Sequence, residues 1–245
     1  MIFPRNKLVP VKYIMDMRHW TDFTVPKGLF PGIEKQKIAL DIGCPAIASV
    51  NNKLFDIWSP FSFEIKFGCD ESGAPYWNYE FDMKEHPWTA ENWAEGHSVR
   101  DVLNRSITHS APDGKSFALQ IGLPYALVTD EPGLSVTVLP PHGVQYENCY
   151  FVSGEFLFAD WIRGIASAWV LEDTSKEATI RFEVNKPCAS LYFNKQITLS
   201  YTETTEEISN YKAQMSNLPF FKTNAVGSLF EVVKSRRPKR LLAKN

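Results

Sequence analysis

Hydrophobic and polar residues alternate along much of this chain, and the alternation predicts β-strands that have one buried face and one exposed face. The alternation is strict in residues 61–67, 76–83 and 178–184. It is weaker in residues 8–15, 116–122, 134–139, 155–160, 166–171 and 190–199. The sequence therefore predicts antiparallel sheets, because the strands of an all-parallel sheet are buried on both faces and do not alternate.

The spacing of the predicted strands indicates the fold class. About ten short antiparallel strands, separated by turns rich in Pro, Gly and Asp, are typical of a β-sandwich of jelly-roll or double-stranded β-helix (cupin-like) type. The sequence contains no internal repeat and no low-complexity linker. We therefore expect a mainly β protein with a single domain over residues 1–222 and a C-terminal arm over residues 223–245.

Helix signals are few, and they predict two or three peripheral helices. Thr204-x-x-Glu207 is a capping box, and apolar residues follow it at spacings of three to four, which predicts a helix over residues 205–217. A shorter apolar stripe at residues 226–233 predicts a second helix, within the arm. Residues 88–104 contain the signal for a third.

The charge of the chain is unevenly distributed. The 245 residues carry 26 basic and 28 acidic side chains, a net charge of −2. Six of the basic residues lie in the last twelve positions: Lys234, Arg236, Arg237, Lys239, Arg240 and Lys244. Residues 1–233 therefore have a net charge of −8, and the sequence predicts an acidic body with a basic tail.

Composition also indicates the compartment. No apolar run approaches the roughly 18 to 20 residues that cross a bilayer, so we expect no membrane association. Cys44, Cys69, Cys149 and Cys188 form no C-x-x-C pair, which suits a reduced compartment and argues against a zinc knuckle. We expect a cytoplasmic protein.

Standard catalytic and nucleotide-binding motifs are absent from the sequence. A cupin-like metal site needs a facial triad, in which a His and a carboxylate two residues apart share one face of a strand. None of the five histidines is followed by a carboxylate or a second His two residues later. His142 is the best placed of them, because Pro140, Pro141 and Gly143 hold it on a rigid turn, and Glu147 follows closely. The main expectation is that no metal binds; the alternative is iron or another divalent metal at His142 and Glu147.

Aromatic and acidic residues supply the other candidate binding positions. Trp88 and Trp93 lie in a predicted surface segment, where flat indole rings can stack on sugars or bases. Glu155 and Asp160 could act as paired acids, although charged residues at strand ends usually face water. We therefore take these four residues, together with His142, as candidate ligand contacts, and core packing or solvation as the alternative for each.

The basic tail is a candidate partner-binding segment. Lys234, Arg236, Arg237, Lys239 and Arg240 could contact nucleic acid or an acidic protein. No aromatic residue interrupts the tail, so binding to nucleic acid would be non-specific. The alternatives are a solvated arm, or an arm folded against the acidic body.

Two stretches carry a family resemblance. The first comprises residues 40–51, Phe55 and residues 58–61; the second comprises Leu123-Pro-Tyr-Ala-Leu-Val-Thr-Asp-Glu-Pro-Gly133, residues 134–141 and 154–161, and Trp169. Together they resemble an uncharacterised domain family of bacteria and tailed phages. In that family a strand, a Pro-Gly turn and a second strand lead to an acidic Asp-Trp corner. The resemblance implies a β architecture over residues 40–195 and no assigned activity.

These observations leave two functional hypotheses. The first is a phage-associated, non-catalytic binding or assembly protein, located in the host cytoplasm or virion, that binds a protein partner or associates with itself. The second is a cupin-like enzyme that depends on non-haem iron or a similar metal near His142. The first predicts an oligomer or complex without metal, and the second predicts stoichiometric metal.

Overall fold

The computed structural model describes residues 8–15, 32–36, 50, 52–59, 62–80, 107–110, 117–142, 144–216, 235, 237 and 241–242. In these ranges the chain is mainly β-strand, and the one helix is α1 (Glu206–Ser216). The strands are β1 (Val9–Met15), β2 (Ile33–Lys35), β3 (Leu54–Trp58), β4 (Phe63–Cys69), β5 (Pro75–Glu80), β6 (Ile107–Ser110), β7 (Ala118–Val128), β8 (Val136–Leu139), β9 (Gln145–Glu147), β10 (Cys149–Val152), β11 (Gly154–Phe156), β12 (Gly164–Leu171), β13 (Ala178–Phe182), β14 (Pro187–Phe193) and β15 (Ile197–Tyr201).

The described strands form three sheets. The first sheet has the order β10-β12-β7-β1-β15, and β6 also pairs with β7. The second has the order β11-β8-β14-β3-β2, and the third has the order β5-β4-β13-β9. The pairings are antiparallel, as the alternation predicts, with the exception of β1 and β15, which run parallel.

All three sheets contribute to one hydrophobic core. Leu119 and Trp169 come from the first sheet, Leu191 from the second, and Ile65 and Ile180 from the third, and each is fully buried. Residues on β12 alternate between buried and half-buried, as expected for a strand with one face toward this core. Antiparallel sheets around a common core are consistent with a β-sandwich.

A second, smaller cluster covers part of the outer face of the first sheet. Ala126 and Val128 on β7 pack there with Ile208 and Tyr211 of α1 and with Leu241 of the C-terminal arm. The Tyr211 hydroxyl also donates a hydrogen bond of 2.7 Å to the carbonyl oxygen of residue 160. The helix and the arm are thereby attached to one end of the sheet face.

The predicted elements agree with the structure in part. The strand predicted over residues 155–160 is wrong beyond Phe156, because residues 158–160 form a turn, and the strand predicted over residues 190–199 is two strands, β14 and β15, separated by residues 194–196. Helix α1 lies within the predicted range, but its N-cap is Thr205, whose side-chain oxygen accepts a 3.3 Å hydrogen bond from the Ile208 N–H. The helices predicted in residues 88–104 and 226–233, and the domain boundary at residue 222, lie outside the described residues. No helix in the described part of the chain is long and apolar enough to cross a membrane.

Candidate functional site

His142 lies in the connection that follows β8, and its side chain is exposed. Its Nδ1 atom is 3.4 Å from the side-chain amide nitrogen of Gln36, which can donate a hydrogen bond to it. Pro141 is buried and therefore anchors the turn that presents the imidazole. The structure thus places His142 on a fixed turn next to the edge strand β2 of the second sheet.

A buried carboxylate, Asp56, lies in the same region, and the sequence analysis did not identify it. Asp56 is 3% exposed and faces Ser190 across β3 and β14, and the Ser190 hydroxyl donates a 2.8 Å hydrogen bond to its Oδ1. Burial raises the pKa of Asp56; the hydrogen bond from Ser190 and the charge of nearby His142 lower it, but by less. Its position in the apolar strand Leu54–Trp58 is a sequence signal that could have identified it, because a charged residue is rarely buried among apolar neighbours.

Among the described residues, the metal-ligand alternative has two candidate ligands near each other in this region, His142 and Asp56. Glu147, the proposed companion of His142, lies on β9 opposite Thr179 and is exposed. Asp56 is instead the carboxylate whose pKa responds to the charge of His142. Within the ranges that the structure describes, no group of three or more His, Cys, Asp and Glu side chains is arranged to hold a metal ion. A facial triad requires three protein ligands.

The candidate acids Glu155 and Asp160 have different surroundings. Glu155 is exposed on β11, and its Oε1 accepts a 2.5 Å hydrogen bond from the hydroxyl of Ser135. Asp160 lies in the turn after β11, where its backbone carbonyl accepts the hydrogen bond from Tyr211. Neither set of hydrogen bonds is specific for a pair of carboxyl groups that act as acid and base. The candidate residues Trp88 and Trp93 lie outside the described residues.

One residue of the basic tail is docked on the body. The guanidinium of Arg237 donates a hydrogen bond to the Thr129 carbonyl, and it lies 3.9 Å from the Asp130 carboxylate. The same carboxylate accepts hydrogen bonds from the backbone N–H groups of Leu241, at 2.7 Å, and Leu242, at 3.2 Å. Asp130 therefore holds the described arm residues Arg237, Leu241 and Leu242 against the body. The other proposed partner-binding residues lie outside the described part of the chain: Lys234, Arg236, Lys239 and Arg240.

Residues 145–157, here called the edge segment, form the outer strand of each of the three sheets in turn. β9 ends the third sheet, β10 ends the first and β11 ends the second. Asn148, with a φ of 53°, makes the bend between β9 and β10. Its side chain bonds the backbone carbonyls of Asp173 and Lys176 and accepts the Asp173 N–H, so the bend is firmly fixed.

The edge segment exposes apolar side chains. Tyr146 and Tyr150 are each 47% exposed, Val152 is 41% exposed, and Leu157 is 50% exposed. The segment contains no Lys, Arg or Pro. Natural edge strands usually carry such residues because they prevent pairing with other chains. The segment therefore lacks Lys, Arg and Pro as protection against association, although its strands are short and carry Glu147 and Glu155.

The exposed side chains of β10 continue onto the outer face of the first sheet. Two rows of directly paired residues run across β10, β12 and β7, and together they form what we call the open face: Tyr150, Val170 and Ala118 in one row, and Val152, Ala168 and Gln120 in the other. These residues are exposed or half-buried, and none is charged. The other end of the same sheet face is covered by α1 and Leu241. The open face is thus an uncharged, partly exposed surface at the end of the sheet face that α1 and Leu241 do not cover.

Comparison with protein-family models, with curated proteins and with solved structures gives no match to this chain.

Proposed function

We propose that this chain is a non-catalytic binding or assembly protein that contacts a protein partner through the edge segment and the open face. The observation that carries the proposal is the combination of exposed Tyr150 and Val152 with an uncharged sheet face. The central parts of protein interfaces are depleted in charged residues and enriched in aromatic ones. A contiguous exposed apolar surface on a folded protein typically marks such a contact.

The finer parts of the proposal rest on the sequence pattern and the family resemblance. We propose a sandwich of jelly-roll or double-stranded β-helix type, and a phage-associated role in the host cytoplasm or the virion. The strand, Pro-Gly turn and strand at residues 123–139 support the resemblance, since β7 and β8 flank this turn. Gly133 has a φ of 68°, which a turn of this kind needs from glycine.

The basic tail supplies a second contact in this proposal. Arg237 is engaged with the body, so the proposed contact with nucleic acid or an acidic protein rests on Lys234, Arg236, Lys239 and Arg240. Replacement of these four residues by Gln should abolish salt-sensitive binding to DNA or to an acidic protein, while Leu241 stays docked. Unchanged binding at low salt would remove the tail from the proposal.

The main experiment places a charge on the open face. The Tyr150→Lys/Val152→Lys variant should lose the oligomer or complex that the wild-type protein forms, as measured by light scattering after size-exclusion chromatography, because a charge at the interface centre must be desolvated. Thr198→Lys, at an exposed position on the opposite edge of the same sheet, is the matched control. A double variant that assembles like the control contradicts the proposal.

A second candidate function, a metal-dependent enzyme of cupin-like type, is favoured by one observation: the buried carboxylate of Asp56 lies near His142. These two residues would supply two of the protein ligands for iron or a similar divalent metal. Metal analysis of untagged protein after anaerobic iron loading tests this function. Stoichiometric metal that is lost in His142→Ala would support it, and protein that retains no metal would exclude the enzyme as stated.

A further inference from the structure

We propose that the C-terminal arm is autoinhibitory: docking of Arg237 and Leu241 on the body opposes the binding of nucleic acid to the basic tail, and nucleic acid releases the arm. This inference rests on the tail contact of the proposed function, and it names the partner and the control of that contact. It follows from the contacts that hold the arm and from the charges on the two sides of the docking contact.

Docking engages one cation in the middle of the basic tail. The guanidinium of Arg237 lies 3.9 Å from the Asp130 carboxylate, and the Arg237 side chain is only 15% exposed. In sequence, Lys239 and Arg240 lie between Arg237 and the docked Leu241, so each is within two residues of an anchored position. A phosphate that contacts the docked tail therefore approaches the carboxylate of Asp130, which repels it.

The docked position leaves Arg237 with an unused hydrogen-bond donor. Its Nε atom is buried and has no hydrogen-bond partner in the part of the chain that the structure describes. A guanidinium donates from N–H groups arranged in a fork, and a phosphate accepts two of them side by side. The single carbonyl oxygen of Thr129, which Arg237 contacts in the docked arm, cannot provide this geometry. Nucleic acid therefore binds the released arm more tightly than the docked arm.

Few contacts hold the arm, so a ligand can reverse the docking. The Asp130 carboxylate accepts the N–H groups of Leu241 and Leu242, and it is 28% exposed to water. The apolar part of the contact is Leu241, which packs with Ile208 and Tyr211 of α1 and with the outer face of the first sheet. A segment held by a small set of contacts opens locally without unfolding of the body.

The composition of the tail favours nucleic acid over an acidic protein. Residues 234–245 contain six basic residues, no acidic residue and no aromatic residue. A uniformly basic segment neutralises the regular phosphates of a nucleic acid backbone and does not read its sequence. Protein surfaces usually mix charges of both signs, and a segment without acidic residues does not complement such a mixture.

The test weakens docking from its polar and its apolar side. Asp130→Ala removes the polar contacts; Glu131→Ala is the matched control, because it removes the same charge one residue away and has no described bond to the arm. Leu241→Ser weakens the apolar contact and leaves the net charge unchanged. Fluorescence anisotropy with a DNA duplex of about 20 base pairs should show an affinity at least about fivefold above wild type for Asp130→Ala and Leu241→Ser, and within about twofold of wild type for Glu131→Ala.

The effect must be reciprocal, because a ligand that binds the released arm more tightly also shifts the arm toward release. In the full wild-type chain, saturating DNA should therefore speed the exchange of the Leu241 and Leu242 amides at least about fivefold, as measured by NMR. Thermal unfolding of the body that is equal in wild type and variants shows that the substitutions act on the arm.

The outcomes separate this inference from the proposed function. If DNA binds but leaves both amides unchanged, or if Asp130→Ala and Leu241→Ser bind DNA like wild type, the arm is not autoinhibitory, although the tail contact stands. If neither the wild type nor any variant binds DNA at low salt, the tail contact itself fails, and the inference fails with it. Faster exchange with polyglutamate but not with DNA identifies an acidic protein as the partner and overturns the assignment to nucleic acid.

Discussion

Asp130 is the residue on which the docking of the C-terminal arm depends most directly. Its carboxylate accepts the N–H groups of Leu241 and Leu242 and lies 3.9 Å from Arg237. Asp130→Ala removes these interactions and leaves the apolar contacts of Leu241 with α1 and β7 intact. The substitution therefore isolates the polar part of arm docking.

The expected size of the effect follows from these contacts. A hydrogen bond to a charged group contributes about 1.5 to 3 kcal/mol, and two are lost. Water can replace part of the lost hydrogen-bond energy, because the Asp130 side chain is 28% exposed. The ion pair between Asp130 and Arg237 adds little at 3.9 Å. We therefore expect the free energy of local opening at Leu241 and Leu242 to fall by about 2 kcal/mol, which corresponds to about 30-fold faster amide exchange.

Hydrogen exchange measured by NMR at the two leucine amides is the direct assay. Glu131→Ala is the control, since Glu131 forms a half-exposed ion pair with Lys195 at 2.7 Å and has no described bond to the arm. We expect less than about a threefold change in exchange for this control. If the Asp130→Ala amides also exchange within about threefold of wild type, Asp130 does not hold the arm and the reasoning is wrong.

Three further predictions concern stability. Burial raises the pKa of Asp56, so the native state binds the carboxyl proton more tightly than the unfolded state does. The free energy of unfolding of the wild-type protein should therefore fall as pH rises from about 4 through the native pKa. Chemical denaturation of Asp56→Asn at the same pH values should not show this fall. Gly32→Ala should destabilise the fold by about 1 to 3 kcal/mol in urea titrations, because Gly32 has a φ of 85° and an added Cβ would lie 2.8 Å from the Tyr13 hydroxyl oxygen. Tyr211→Phe should cost about 1 kcal/mol in the same titrations through the lost bond to the Asp160 carbonyl, and no measurable cost would show that water replaces this bond.

Alternation identified the strands whose two faces differ in polarity. β4, β5 and β13 of the third sheet have apolar residues toward the core and charged residues such as Glu64 and Arg181 toward solvent, and the sequence predicted all three. β10 was not predicted, because its exposed residues are as apolar as its buried ones. The pattern therefore fails at the strand to which we assign the contact.

The candidate site was only partly predictable, because its residues come together from distant parts of the chain. His142 was identified as a candidate from its position in a turn. Its neighbours are distant in sequence, since Asp56 lies on β3 and Gln36 directly follows β2. Pairing of β3 with β14 decides that Asp56 faces Ser190, and long-range register cannot be read from one sequence. Sequence spacing alone identified no neighbouring residue for the candidate acids Glu155 and Asp160 or for the basic residues of the tail.

The edge segment affects the local unfolding of the protein. Its three strands lie against β13, β12 and β8, one from each sheet. Detachment of these few residues would expose the borders of all three sheets in one event, and would release strand edges able to aggregate. A partner bound to β10 would oppose that event, so assembly would protect the chain against aggregation as well as serve its function.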